Sequence, residues 1–91
     1  MYIRHTTVKN PSGLHARPAT VFVKLAASFQ SEISILNRSA PAAPANAKSI
    51  TGLLMAHIRQ GQEIELCAQG PDEVEAVDAL KALIDRGFGE L

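Results

Sequence analysis

Two short segments alternate apolar and polar residues, and in each the apolar set falls on one side only. Glu32–Asn37 places Ile33 and Ile35 on one face. Gln62–Gln69 places Ile64, Leu66 and Ala68 on one face and leaves Glu63, Glu65 and Cys67 opposite. Strands with one apolar and one polar face belong to a sheet covered on a single side. Tyr2–Val8 reads as a further strand, with Tyr2, Thr6 and Val8 inward, ending at the turn cluster Asn10-Pro11-Ser12-Gly13.

The cover is helical. From His15 or Ala16 to about Ser28, the residues Ala19, Phe22, Val23, Ala26 and Phe29 form one buried stripe. Pro18 stands in the first turn, where its missing N–H is not needed. Thr20, Lys24 and Ser28 lie opposite, with Val21 beside them. Lys48–His57 predicts a short helix with Ser49 as N-cap and Leu53, Leu54 and Ile58 as apolar contacts. Asp72 followed by Glu75 resembles a capping box opening a last helix that runs to about Arg86. Val77, Leu80, Leu83 and Ile84 are its buried face, and Gly87 is its C-cap. Gly87 and Gly89 beyond it read as a flexible end. Arg38–Ala47 carries Pro41 and Pro44, which cannot donate to a ladder, so a loop with at most a frayed third edge strand is expected. The order β-α-β-(β)-α-β-α gives an α+β fold, an open-faced β-sandwich with a largely antiparallel sheet covered on one face by helices.

Ninety-one residues leave room for one domain, residues 1–91. One cysteine, Cys67, excludes an internal disulfide and fits a reducing cytoplasm. No apolar stretch resembles a signal peptide or a membrane span. His5, His15 and His57 match no metal-ligand spacing, so no metal is expected. Nine basic and nine acidic residues cancel, which argues against a nucleic-acid partner. The cancellation hides a split, because residues 1–48 carry a charge of +5 and residues 49–91 a charge of −5.

Chemistry concentrates at Gly13-Leu14-His15-Ala16-Arg17-Pro18-Ala19. His15 lies where a tight turn meets a helix N-terminus, whose first N–H groups lack internal acceptors and whose dipole is positive. That setting favours a neutral imidazole, which has a free lone pair and can act as a nucleophile. An anion carried on the ring would meet the N–H groups of Ala16 and Arg17 and the forked Arg17 side chain. The dipole supplies about 0.3–2 kcal/mol and each charged hydrogen bond about 1.5–3 kcal/mol. These terms suit a group that must be released. Read without its neighbours, His15 could equally be an N-cap or an exposed turn residue.

This seven-residue segment resembles the active-site motif of the HPr family, the histidine-containing phosphocarriers of the bacterial phosphoenolpyruvate-dependent sugar phosphotransferase system. Phe22-Val23-Lys24, Ser31-Glu32-Ile33, Ala47-Lys48-Ser49, Gly61 and the turn at Gly70 follow in family order. The resemblance implies an open-faced β-sandwich that is a carrier rather than an enzyme. His15 would take a phosphoryl group on Nδ1 from enzyme I and pass it to enzyme IIA. Arg17 would contact that group, framed by Ser12 and the backbone at Ala16 and Arg17. No cofactor, no metal and no membrane insertion are implied, and a cytoplasmic monomer is expected. Lys48-Ser49-Ile50 is similar to a second family site, where an ATP-dependent HPr kinase/phosphorylase modifies the serine in some bacteria. Read from the residues alone, Ser49 is an N-cap.

Partner docking is expected at Thr20, Val21, Lys24, Lys48, Ile50 and Leu54. Val21, like Leu25, could instead pack against a neighbouring loop. Thr51 stands where the family usually has a large apolar residue. The loop Arg38–Ala47 is about three residues longer than in short family members. The stretch Pro44–Ser49 and the tail Arg86–Gly89 are similar to HPr-like domains of the fructose and nitrogen branches, so the branch stays open. Arg17, Lys24 and Lys48 are expected to surround His15 and Ser49 with positive potential. The acidic last helix, with Asp72, Glu73, Glu75, Asp78 and Asp85, is expected to face away from partners.

Overall fold

The computed structural model describes residues 1–40 and 43–90. Its elements are β1 (Tyr2–Thr7), α1 (Ala16–Ala27), β2 (Glu32–Asn37), β3 (Ala45–Asn46), α2 (Ile50–Met55), β4 (Glu63–Gln69) and α3 (Glu73–Asp85), followed by a 3-10 turn at Gly87–Gly89. The four strands form one sheet in the order β1-β4-β2-β3, and every pairing is antiparallel. The frayed edge strand is present as the two residues of β3, paired with Ser34 and Ile35. Pro41, which helped to shorten it in the sequence reading, lies outside the described residues.

Register explains the two faces. Ile33 and Ile35 stand beside Ala68 and Leu66 of β4. Thr6 stands beside Ile64. These residues look toward the helices, and the four isoleucine and leucine positions among them are buried with Phe22, Leu53, Val77, Leu80 and Ile84 in one cluster. Residues one position along look outward, as the period of two requires. There His5 Nε2 lies 2.9 Å from the Glu65 carboxylate and 2.8 Å from the Arg38 guanidinium.

Helix α3 is held on the sheet by its acids. Asp78 accepts from the Tyr2 hydroxyl at 2.9 Å, and Asp85 accepts from Thr6 and pairs with Lys81. Glu73 meets the amino group of Met1 at 3.0 Å. The capping box does not form. Asp72 occupies the N-cap position without a side-chain cap bond. Its carboxylate instead accepts the N–H groups of Gln30 and Ser31, each at 2.9 Å, and the Ser31 hydroxyl. Bonds to the α1–β2 connection give three donors where a cap would have given one. The tail also departs from expectation. It is not a free end: Gly87 is buried, Phe88 packs on the core, and Glu90 reaches the loop before α1.

Candidate functional site

The loop before α1 is bound from both sides. Asn10 is fully buried, and its side-chain amide donates to the Gly13 carbonyl at 2.9 Å, while the Gly13 N–H donates to the Asn10 carbonyl. Leu14 donates its N–H to the Ile58 carbonyl just past α2. Gly13 has φ +63, and a Cβ there would stand 2.6 Å from the Ile58 oxygen. Only glycine permits that close approach. The turn thus delivers His15 as the N-cap of α1, with extended backbone at φ −128 and ψ 163.

The His15 ring makes no capping hydrogen bond and is half-buried. The N–H groups that open α1 therefore keep their donor capacity for an outside acceptor. Ala16, the first helical residue, has φ +51. A left-handed alanine is strained by about 1–2 kcal/mol, which the sequence reading did not anticipate. Ala16 and Arg17 are exposed and Pro18 is buried behind them. No acidic residue occupies the first turn of α1, so no charge on the helix itself competes for an anion there. Among the described residues, no group of three or more His, Cys, Asp or Glu could hold a metal ion.

Ser12, His15, Ala16 and Arg17 share this one segment. Ser49 does not join them. It caps α2, with its Oγ accepting the Gly52 N–H at 3.1 Å. The Lys48 ammonium donates to the carbonyl of Phe29, beyond the C-terminal end of α1, at 2.7 Å. At the other end of α2, Ile58 touches Gly13 and Leu14. The two helices therefore run antiparallel, and Lys48 and Ser49 lie by the end of α1 remote from His15. A twelve-residue helix spans about 18 Å, so of the cations expected around His15 and Ser49, Lys48 stands at the Ser49 end.

Of the docking candidates, Thr20 and Lys24 are exposed, and Val21, Ile50 and Leu54 are 37%, 40% and 40% exposed. Leu54 is accordingly not buried; Leu53 of α2 and Ile58 just past it are. Leu25 is half-buried against the core. Met55, at 70% exposure, extends the apolar surface and was not singled out from the sequence. Asn10 and Glu90 were also missed. The sequence signals for them were weak: a polar residue in a turn, and a Gly-x-Gly that reads as a flexible end.

The family profile described as "PTS HPr component phosphorylation site" matches residues 3–86. The chain belongs to the HPr family of phosphocarrier proteins. Among relatives of this HPr-type chain, the phosphocarrier protein HPr of Cupriavidus necator is 42% identical over 90 residues, covering 99% of this chain and 98% of that protein. The phosphocarrier protein NPr of Proteus mirabilis is 40% identical over 87 residues, covering 96% and 94%. The crystal structure of HPr-C-His from Thermoanaerobacter tengcongensis superposes with a TM-score of 0.93 at 42% identity, covering 100% of this chain and 99% of that one. The α+β open-faced fold read from the strand patterns is the fold of this HPr structure.

Proposed function

We propose that His15 accepts a phosphoryl group on Nδ1 from phosphorylated enzyme I and passes it to an enzyme IIA. The observation that carries this reading is the N-cap placement of His15, with its ring free of capping duty beside the opening N–H groups of α1 and the exposed Arg17. In the Nε2–H tautomer, the Nδ1 lone pair attacks phosphorus. The bond from phosphorus to the donor breaks as the nitrogen–phosphorus bond forms, and its electron pair leaves with the donor. Ser12, the backbone at Ala16 and Arg17, and the guanidinium of Arg17 receive the phosphoryl oxygens. Transfer to enzyme IIA runs the same step outward. The chain is thus a stoichiometric carrier, not an enzyme, and works as a cytoplasmic monomer. Thr20, Val21, Lys24, Lys48, Ile50 and Leu54 form the docking surface, and transient exchange suits a small interface of this kind.

Incubation with enzyme I and phosphoenolpyruvate tests the reading by mass. One acid-labile phosphoryl group is expected on the wild type and none on His15→Ala. A label that persists in His15→Ala sinks the assignment.

Regulation at Ser49 is a second reading, supported by its place at an N-cap beside exposed Ile50 and Leu54. A phosphate there is tolerated by the helix but adds charge to the docking surface. HPr kinase and ATP should label Ser49; an unmodified Ser49 removes this reading.

A further inference from the structure

We propose that Glu90 is a tethered competitor for the phosphoryl position. Gly87, Phe88 and Gly89 have φ of +64, +55 and +77, three successive left-handed residues. This curl turns the chain back on itself after α3, and Phe88 anchors it against the core. Its product is a carboxylate placed on the active-site loop. Glu90 accepts from the Asn10 amide at 3.1 Å and from the Ser12 hydroxyl at 3.2 Å.

Ser12 is three residues before His15 in the same loop. Under the reading of His15 as phosphoryl acceptor, on which this proposal rests, Ser12 is also a donor to the phosphoryl oxygens. One hydroxyl hydrogen cannot serve both anions. A phosphoryl group on His15 also brings like charge toward the Glu90 carboxylate, so phosphorylation must displace the tail.

Two observations indicate that displacement is easy. The Asn10 amide that holds Glu90 also donates to the Gly13 carbonyl at 2.9 Å, so release of the tail leaves that buried donor paired. A cavity of about 370 Å³ between α1 and the tail is lined by Arg17 and Arg86 as well as Glu90. With Arg17 turned to the phosphoryl group, Arg86 in the same cavity can receive the released carboxylate. The latch thus raises the free energy of the phosphorylated form and favours onward transfer.

Inorganic phosphate titrated into the unphosphorylated protein, followed by the amide resonances of Ala16 and Arg17, tests the competition. Glu90→Gln should bind phosphate about three- to tenfold more tightly than wild type, the range expected for a partly screened like charge. Glu75→Gln, which removes one exposed acid elsewhere on α3, should bind like wild type. Equal affinities in the two variants would overturn the latch. With enzyme I and phosphoenolpyruvate, Glu90→Gln should shift the equilibrium toward phosphohistidine by a similar factor. Wild type that takes no label defeats the acceptor reading instead, and the phosphate titration distinguishes that failure from failure of the latch.

Discussion

The Asp72 carboxylate accepts the Ser31 N–H at 2.9 Å across 41 residues of sequence, joining the start of α3 to the entry of β2. Bonds from the Ser31 hydroxyl and the Gln30 and Ser31 amides hold this carboxyl below its usual range. Glu73 is lowered by the Met1 amino group and the Gly70 N–H. Burial pushes the Asp85 carboxyl up, but bonds from Lys81 and Thr6 and the charges of Lys81 and Lys9 together outweigh it and lower the net value. A carboxyl depressed in the folded state stabilises the fold above its unfolded value, and that stability is lost as pH falls through the folded value. The urea midpoint should therefore be flat near neutrality and fall below about pH 4. Asp72→Ala should lower the midpoint at pH 7, and its difference from wild type should shrink in acid.

Gly13→Ala couples the site to the fold. The new Cβ would stand 2.6 Å from the Ile58 oxygen, on a backbone at φ +63. A loss of about 2–3 kcal/mol in urea unfolding is expected, together with slower phosphorylation of His15. Normal stability with normal transfer would contradict the role given to this turn.

Ser49→Ala removes the N-cap of α2. The expected cost is about 1 kcal/mol, with faster amide hydrogen exchange at Gly52. Because Ser49 and His15 lie by opposite ends of α1, the substitution should leave the rate of His15 phosphorylation within about twofold of wild type.

Arg17→Gln should separate chemistry from stability. Arg17 is exposed, so unfolding should change by less than about 0.5 kcal/mol. Loss of a charged hydrogen bond to the phosphoryl group should slow transfer about ten- to hundredfold. Lys24→Gln should lower the transfer rate less and flatten its salt dependence. Lys48→Met should act on stability, since its ammonium is bound to the Phe29 carbonyl.

The strands were legible because alternation is local: Ile33, Ile35, Ile64, Leu66 and Ala68 are all buried where their period of two puts them. The His15 turn was legible because Gly13 and Pro18 punctuate it. What escaped was long-range. Asp72 has the local pattern of a cap, yet its acceptors are satisfied by residues that only tertiary packing brings near. Glu90 has no periodic context, and its seat depends on three left-handed residues of which one, Phe88, gives no sign of that geometry. The bond from the Lys48 ammonium to the Phe29 carbonyl, 19 residues away, has no local sign in the sequence. The split of charge between the halves was visible, but its meaning changed. Most of the acids of α3 fasten that helix to Tyr2, Thr6, Ser31 and Met1.

Phosphorus NMR of the protein after treatment with enzyme I and phosphoenolpyruvate tests the central claim most directly. One acid-labile phosphohistidine resonance is predicted, bonded to Nδ1, absent in His15→Ala, and discharged when an enzyme IIA is added. A resonance that survives in His15→Ala, or one that enzyme IIA does not discharge, would contradict the account.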